Sequence, residues 1–106
     1  MAHETVNYAE AEELGGALHM LRDPLDCEHL GLSVIDADPG WVGMEHDHAD
    51  DGQEEVYLLV EGAATLEAGG EAVEMAPGDA VRVDADETRR LEAGGEGAHL
   101  VVAGAP

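Results

Sequence analysis

The stretch Gly40-Trp41-Val42-Gly43-Met44-Glu45-His46-Asp47-His48-Ala49-Asp50-Asp51-Gly52-Gln53-Glu54-Glu55-Val56-Tyr57-Leu58-Leu59-Val60-Glu61-Gly62 decides how this chain folds. Asp38-Pro39-Gly40 turns the backbone into it. Trp41 to His48 then reads as extended, Ala49 to Gln53 as an acidic loop, and Glu55 to Val60 as a strand that Gly62 closes. Side chains alternate along an extended segment, so His46 and His48, two apart, project to the same side. A hairpin-like return sets the Glu55 carboxylate beside them. Two neutral imidazoles and one carboxylate form a facial donor set suited to Mn(II), Fe(II), Ni(II), Co(II) or Zn(II), with further coordination positions open. On these residues alone, a pair of solvated histidines in an acidic loop remains the competing reading.

Outward from this stretch the chain keeps the same short rhythm. Glu28 to Ile35 alternates, with Leu30, Leu32 and Val34 expected on one buried face. Ala64-Thr65-Leu66-Glu67 and Ala72-Val73-Glu74-Met75 flank Gly69-Gly70, a hairpin signal because tight turns demand positive φ. Pro77-Gly78-Asp79 turns into Val81-Arg82-Val83, and His99 to Val102 makes the last strand. Upstream, Glu4 to Glu13 is expected to form a short acidic helix ended by Gly15-Gly16, followed by an extended Ala17 to Leu21. Short strands bounded by Gly, Pro and Asp, with no βαβ unit, point to an all-β sandwich or barrel.

Composition limits the function. The 106 residues hold four basic against 25 acidic side chains, a formal net charge of -21. Such a surface builds no basic patch, so nucleic acid and anionic membrane are excluded as partners. The lone Cys27 excludes an internal disulfide framework. No apolar run approaches a membrane span, and Met1 to Glu13 lacks the basic and apolar regions of a signal peptide, so a cytoplasmic protein is expected. With 11 Leu, 10 Val, one Ile and no Phe beside 17 Ala, the core is lean. Lys is absent and short carboxylates coat the surface, a composition that looks salt-adapted and halophilic.

The pattern Gly40-x5-His46-x-His48-x6-Glu55-x6-Gly62 resembles the first motif of the cupins, small double-stranded β-helix (jelly-roll) proteins. The gap between His48 and Glu55 is longer than that family usually shows. The resemblance spans about Glu28 to Ala103 and implies one jelly-roll barrel of roughly six to eight strands. The barrel is expected over residues 28–106, with residues 1–27 as an N-terminal segment whose first strand packs on it. The family's second motif, aligned from Gly78, meets Asp84, Asp86, Arg89 and Ala93, so only its glycine is kept. Arg89 stands where the resemblance implies a fourth ligand, a His. A guanidinium offers only donors and cannot coordinate.

The resemblance therefore implies a divalent metal held by His46, His48 and Glu55, with a small anionic metabolite or O₂ at the open positions. Arg89 is expected to contact the anion through its fork, and Tyr57, on the same face as Glu55, to line the pocket. The alternative is a ligand-binding or regulatory protein with weak or no metal, its anion held by Arg89. Whether turnover occurs stays open; an enzyme on this site would be of the metal-dependent dioxygenase, isomerase or decarboxylase type. A homodimer built by strand exchange or sheet packing is also implied, and a lean core would gain from the added interface. Arg82, Arg90, Glu54 and the Asp47, Asp50, Asp51 cluster read as solvated surface. Gln53 and His99 are weak alternative ligands, and Trp41 is expected at the barrel mouth or in a dimer contact.

Overall fold

The computed structural model describes residues 2–106. Its strands follow in chain order as β1 (Glu13–Leu14), β2 (Leu18–Met20), β3 (Gly31–Ala37), β4 (Glu54–Ala68), β5 (Glu71–Met75), β6 (Ala80–Val83) and β7 (Arg89–Ala105). All pairings are antiparallel, in the order β1-β2-β3-β7-β4-β5, with β6 alongside β4. The all-β architecture expected from the sequence is the one observed.

The long strands β4 and β7 each serve both layers of the barrel. The first half of β4 lies between β6 and the end of β7, with Leu59 opposite Leu100; its second half lies between β5 and the start of β7, with Leu66 opposite Leu91. Buried positions on β4 change parity on the way, from Tyr57 and Leu59 to Ala64 and Leu66. Those on β7 change likewise, from Leu91 and Ala93 to Ala98, Leu100 and Val102. Two register irregularities, between Leu59 and Glu61 and between Gly62 and Ala64, absorb the extra residues. Gly62 sits there at φ 88, and a Cβ on it would run into the Gly97 carbonyl. Glycine thus lets two paired strands approach closely where their buried faces change. It does not end the strand at Gly62, as the sequence suggested, and the Gly94 to Gly97 run bends β7 instead of preceding a short strand.

Leu59, Leu66 and Leu100 are completely buried, each worth roughly 1.5–3 kcal/mol in removal from water. Ile35, Tyr57, Met75, Val83, Leu91 and Val102 surround them with small Ala between. On β3 both faces carry buried residues: Val34 is buried as expected, but so are Ile35 and Ala37 on the opposite face. Ile35 and Ala37 join the core cluster, whereas Leu30 stays exposed, outside the strand, and Val34 aligns with His19 and Val101 on the other face. A strand apolar on both faces gives no alternation from which to choose.

The expected helix at Glu4 to Glu13 is a single 3₁₀ turn, Tyr8–Glu10, capped by the Asn7 side chain. This stretch has no apolar stripe to bury, and Tyr8 anchors it differently. The Tyr8 hydroxyl donates to Asp36 at 3.1 Å, and its ring meets the His19 and His99 rings at 5.3 and 5.6 Å. Trp41 to His48 is extended but contributes only isolated bridges, Val42 with Glu92 and His46 with Arg89. Its hydrogen bonds to β7, including Arg89 N–H to His46 O at 2.8 Å, bring His46 beside the first residue of that strand.

Candidate metal centre

Three segments converge here: the extended run ending at His48, the start of β4 at Glu55, and the start of β7 at Arg89. One ligand atom each from His46, His48 and Glu55 can be chosen so that all lie within 4.8 Å of one another. His46 Nε2 and His48 Nε2 stand 3.7 and 3.4 Å from Glu55 Oε1. The two imidazoles meet edge to face, with centroids 5.2 Å apart. They do share one side, as alternation along an extended segment demands.

Both rings are oriented from behind. His46 Nδ1 lies 3.2 Å from the Met44 carbonyl, and His48 Nδ1 lies 3.1 Å from Asp51 Oδ2. A carbonyl and a carboxylate can only accept, so each neutral ring carries its hydrogen on Nδ1 and leaves the Nε2 lone pair free. That tautomer is the one a metal on Nε2 requires. In donor type and tautomer, the residues fit a divalent ion.

Glu55 Oε1 gathers donors. The Tyr57 hydroxyl donates to it at 3.0 Å and Arg89 Nη1 at 3.1 Å. Burial alone would push the Glu55 carboxyl up, but interaction with the protonated His46 ring, the Tyr57 hydrogen bond and the charges of His48 and Arg89 outweigh it and hold the group below its ordinary value. When His46 is protonated its Nε2–H can donate to Glu55, which raises His46 above the usual imidazole range, against partial burial. Burial, then the neighbouring carboxylate, pushes the Tyr57 phenol up.

Arg89 is the largest fully buried side chain, with 1% of its surface exposed. Nη1 serves Glu55, Nη2 donates to the Asp84 carbonyl, and Nε is buried without a partner. The fork expected to meet an anion is turned inward onto a ligand of the metal set, closed to solvent. Arg90 pairs with Glu67 at 3.2 Å, and Arg82 with Asp84 and Glu54. Glu54 is exposed, as expected from its position next to Glu55. Gln53 lies against Gly31 and Gly104, and His99 against Tyr8. A cleft of about 310 Å³ is lined by Gly69, Thr88, Arg89 and Arg90 among others, and by none of the three candidate ligands.

The Cupin domain family model matches residues 33–104. The chain belongs to the cupin family. Solved structures support the fold. A cupin protein from Bacteroides fragilis superposes with a TM-score of 0.79 at 20% identity, covering 99% of this chain and 85% of that one. KdgF from a Halomonas species gives 0.79 at 19%, covering 100% and 94%, and an RmlC-like cupin from Shewanella frigidimarina gives 0.78 at 22%, covering 100% and 92%. No curated protein sequence matches significantly.

Two participants in this cupin's candidate site escaped sequence reasoning. Asp51, read as solvated surface, is the residue that orients His48; the signal was its i+3 spacing ahead of Gly52 in a tight turn. The Asp84 carbonyl is a backbone group, which sequence does not mark.

Proposed function

We propose that this cupin holds a divalent metal ion through His46, His48 and Glu55 and presents the remaining coordination positions to a small ligand. The observation that carries this reading is the double orientation of the imidazoles: with both Nδ1 atoms engaged by Met44 and Asp51, both free Nε2 atoms face the same carboxylate oxygen. A bound ion would supply Lewis-acid or redox chemistry at those open positions. The protein's own residues hold the donors: Tyr57 and Arg89 fix Glu55, and Asp51 fixes His48. Arg89 and Glu55 cancel in charge, so a divalent ion would add two positive charges that only the Asp51 carboxylate behind His48 partly offsets. That favours an anionic ligand bound at the ion, not at Arg89.

Elemental analysis of protein purified without chelator tests the reading. Near-stoichiometric metal in the wild type and its loss in His46→Ala are expected; absence of metal, with no shift of the melting temperature on adding Mn(II), Fe(II), Ni(II), Co(II) or Zn(II), refutes it.

A homodimer through the outer sheet face belongs to the same proposal. Val56, Leu58 and Val60 are 38%, 37% and 51% exposed on β4, and Val101 and Ala103 lie beside Leu58 and Val56 on β7. On a chain of this charge, a row of apolar side chains is the place where two copies can meet without stacking carboxylates. Leu58→Glu is expected to convert a dimer to a monomer in size exclusion at high salt; a monomeric wild type refutes it.

A further inference from the structure

We infer that Arg89 is an internal counter-cation: it takes the place of the metal's charge when the site is empty, keeps the three donors assembled without an ion, and makes ion binding weak and readily reversible. The inference rests on the metal reading above and adds a residue that sets how the site is loaded.

Position 89 faces the donor set because residue 89 exchanges both backbone hydrogen bonds with His46. Its side chain then reaches Glu55 Oε1, the same oxygen that both Nε2 atoms approach. The Arg89 side chain is wholly buried and that of Glu55 is 14% exposed. Salt does little to screen a contact so enclosed. An ion entering the site must share Glu55 with a guanidinium and sit close to a fixed positive charge. The guanidinium cannot simply leave. Its second arm is held by the Asp84 carbonyl, and Nε already lacks a partner in a closed environment, so losing Glu55 would deprive another donor. An ion and Arg89 thus draw on the same carboxylate charge, and a buried charge left without its partner is strongly disfavoured.

Arg89→Met removes the charge and keeps much of the length; Arg89→Lys keeps the charge. Calorimetric titration of metal-stripped proteins with Zn(II) and Mn(II), beside thermal melts, separates them. Arg89→Met is expected to bind about tenfold or more tightly than the wild type, since Glu55 is left unpaired until the ion arrives. Its metal-free form should melt lower, and metal should raise its melting temperature by more than in the wild type. Arg89→Lys should stay near wild-type affinity. A merely structural role for Arg89 predicts weaker binding in the Met variant, so equal or weaker binding, with a wild type that does bind, overturns the inference alone. No binding by any of them overturns the metal reading and the inference with it. Should Arg89→Met not fold, the wild type suffices: the Arg89 side-chain NH resonances must shift in step with added Zn(II), and unmoved resonances at saturation overturn the inference.

Discussion

Asp51 carries the first prediction. It is three residues beyond His48, and its carboxylate accepts from Nδ1 at 3.1 Å. The Asp51 carboxyl is held below its usual range, first by that hydrogen bond and then by one from the Gln53 N–H. Asp51→Ala removes the acceptor, so the ring can rotate and place its hydrogen on either nitrogen. Outer partners of metal-bound imidazoles are commonly worth 10–100-fold in affinity. The Asp51 side chain is 51% exposed, so water can replace it at Nδ1, which puts the expected loss at the lower end, about tenfold. Calorimetry with Zn(II) measures it. Asp50→Ala is the control, because it makes the same change in net charge one residue away. If the two variants lose affinity equally, the effect is the general field and not orientation of His48, and the reasoning fails.

Three other outcomes are expected. Gly62→Ala should cost roughly 2–4 kcal/mol in urea unfolding, because it adds a Cβ at positive φ against the Gly97 carbonyl; an unchanged midpoint would show that the strands do not approach there as described. Metal affinity should fall as pH drops through the raised His46 value, that is, already above the ordinary imidazole range near 6.5, because coordination needs the neutral ring. The metal-free protein has the opposite sign: the His46 contribution to stability is full below the unfolded pKa and is lost as pH rises through the folded one. A pH-independent affinity between about 5 and 8 excludes imidazole ligation. Finally, melting temperature should climb from dilute buffer to molar KCl, where the Debye length shrinks to about 3 Å and self-repulsion at a net charge of -21 is screened; equal melts at both salts remove any case for salt adaptation.

The class of fold was legible because turn residues punctuate the chain at short intervals, and the donor set was legible because alternation and spacing act locally. The places that misled share a cause. Gly62 looks like a strand end, yet it lies where two long paired strands shift register, and only the pairing of Gly62 with Ala98 and of Ala64 with Ala93 reveals it. On β3, Val34 and Ile35 are buried on opposite faces, and Ile35 is the one that joins the main cluster, where it lies opposite Leu100 and Leu18. Arg89 lies beside the three candidate ligands, but the direction of its fork depends on Asp84 and Glu55 being gathered around it, a tertiary fact that spacing does not encode.

The charge pattern acts at two ranges that salt separates. At long range, 25 carboxylates attract cations to the protein and repel anions, an effect that weakens steeply as ionic strength rises. At contact range, Arg89 and Glu55 lie 3.1 Å apart with almost no exposure, where added salt has little access. Salt should therefore change how fast a metal ion arrives more than how firmly the donors hold it. The same division bears on the second ligand. Under the proposed reading, an anion in dilute buffer would have to approach a loaded site through a repulsive field, whereas in molar salt that barrier would be largely gone. If the site loads as proposed, an anionic ligand is therefore expected to bind more readily in molar salt than in dilute buffer.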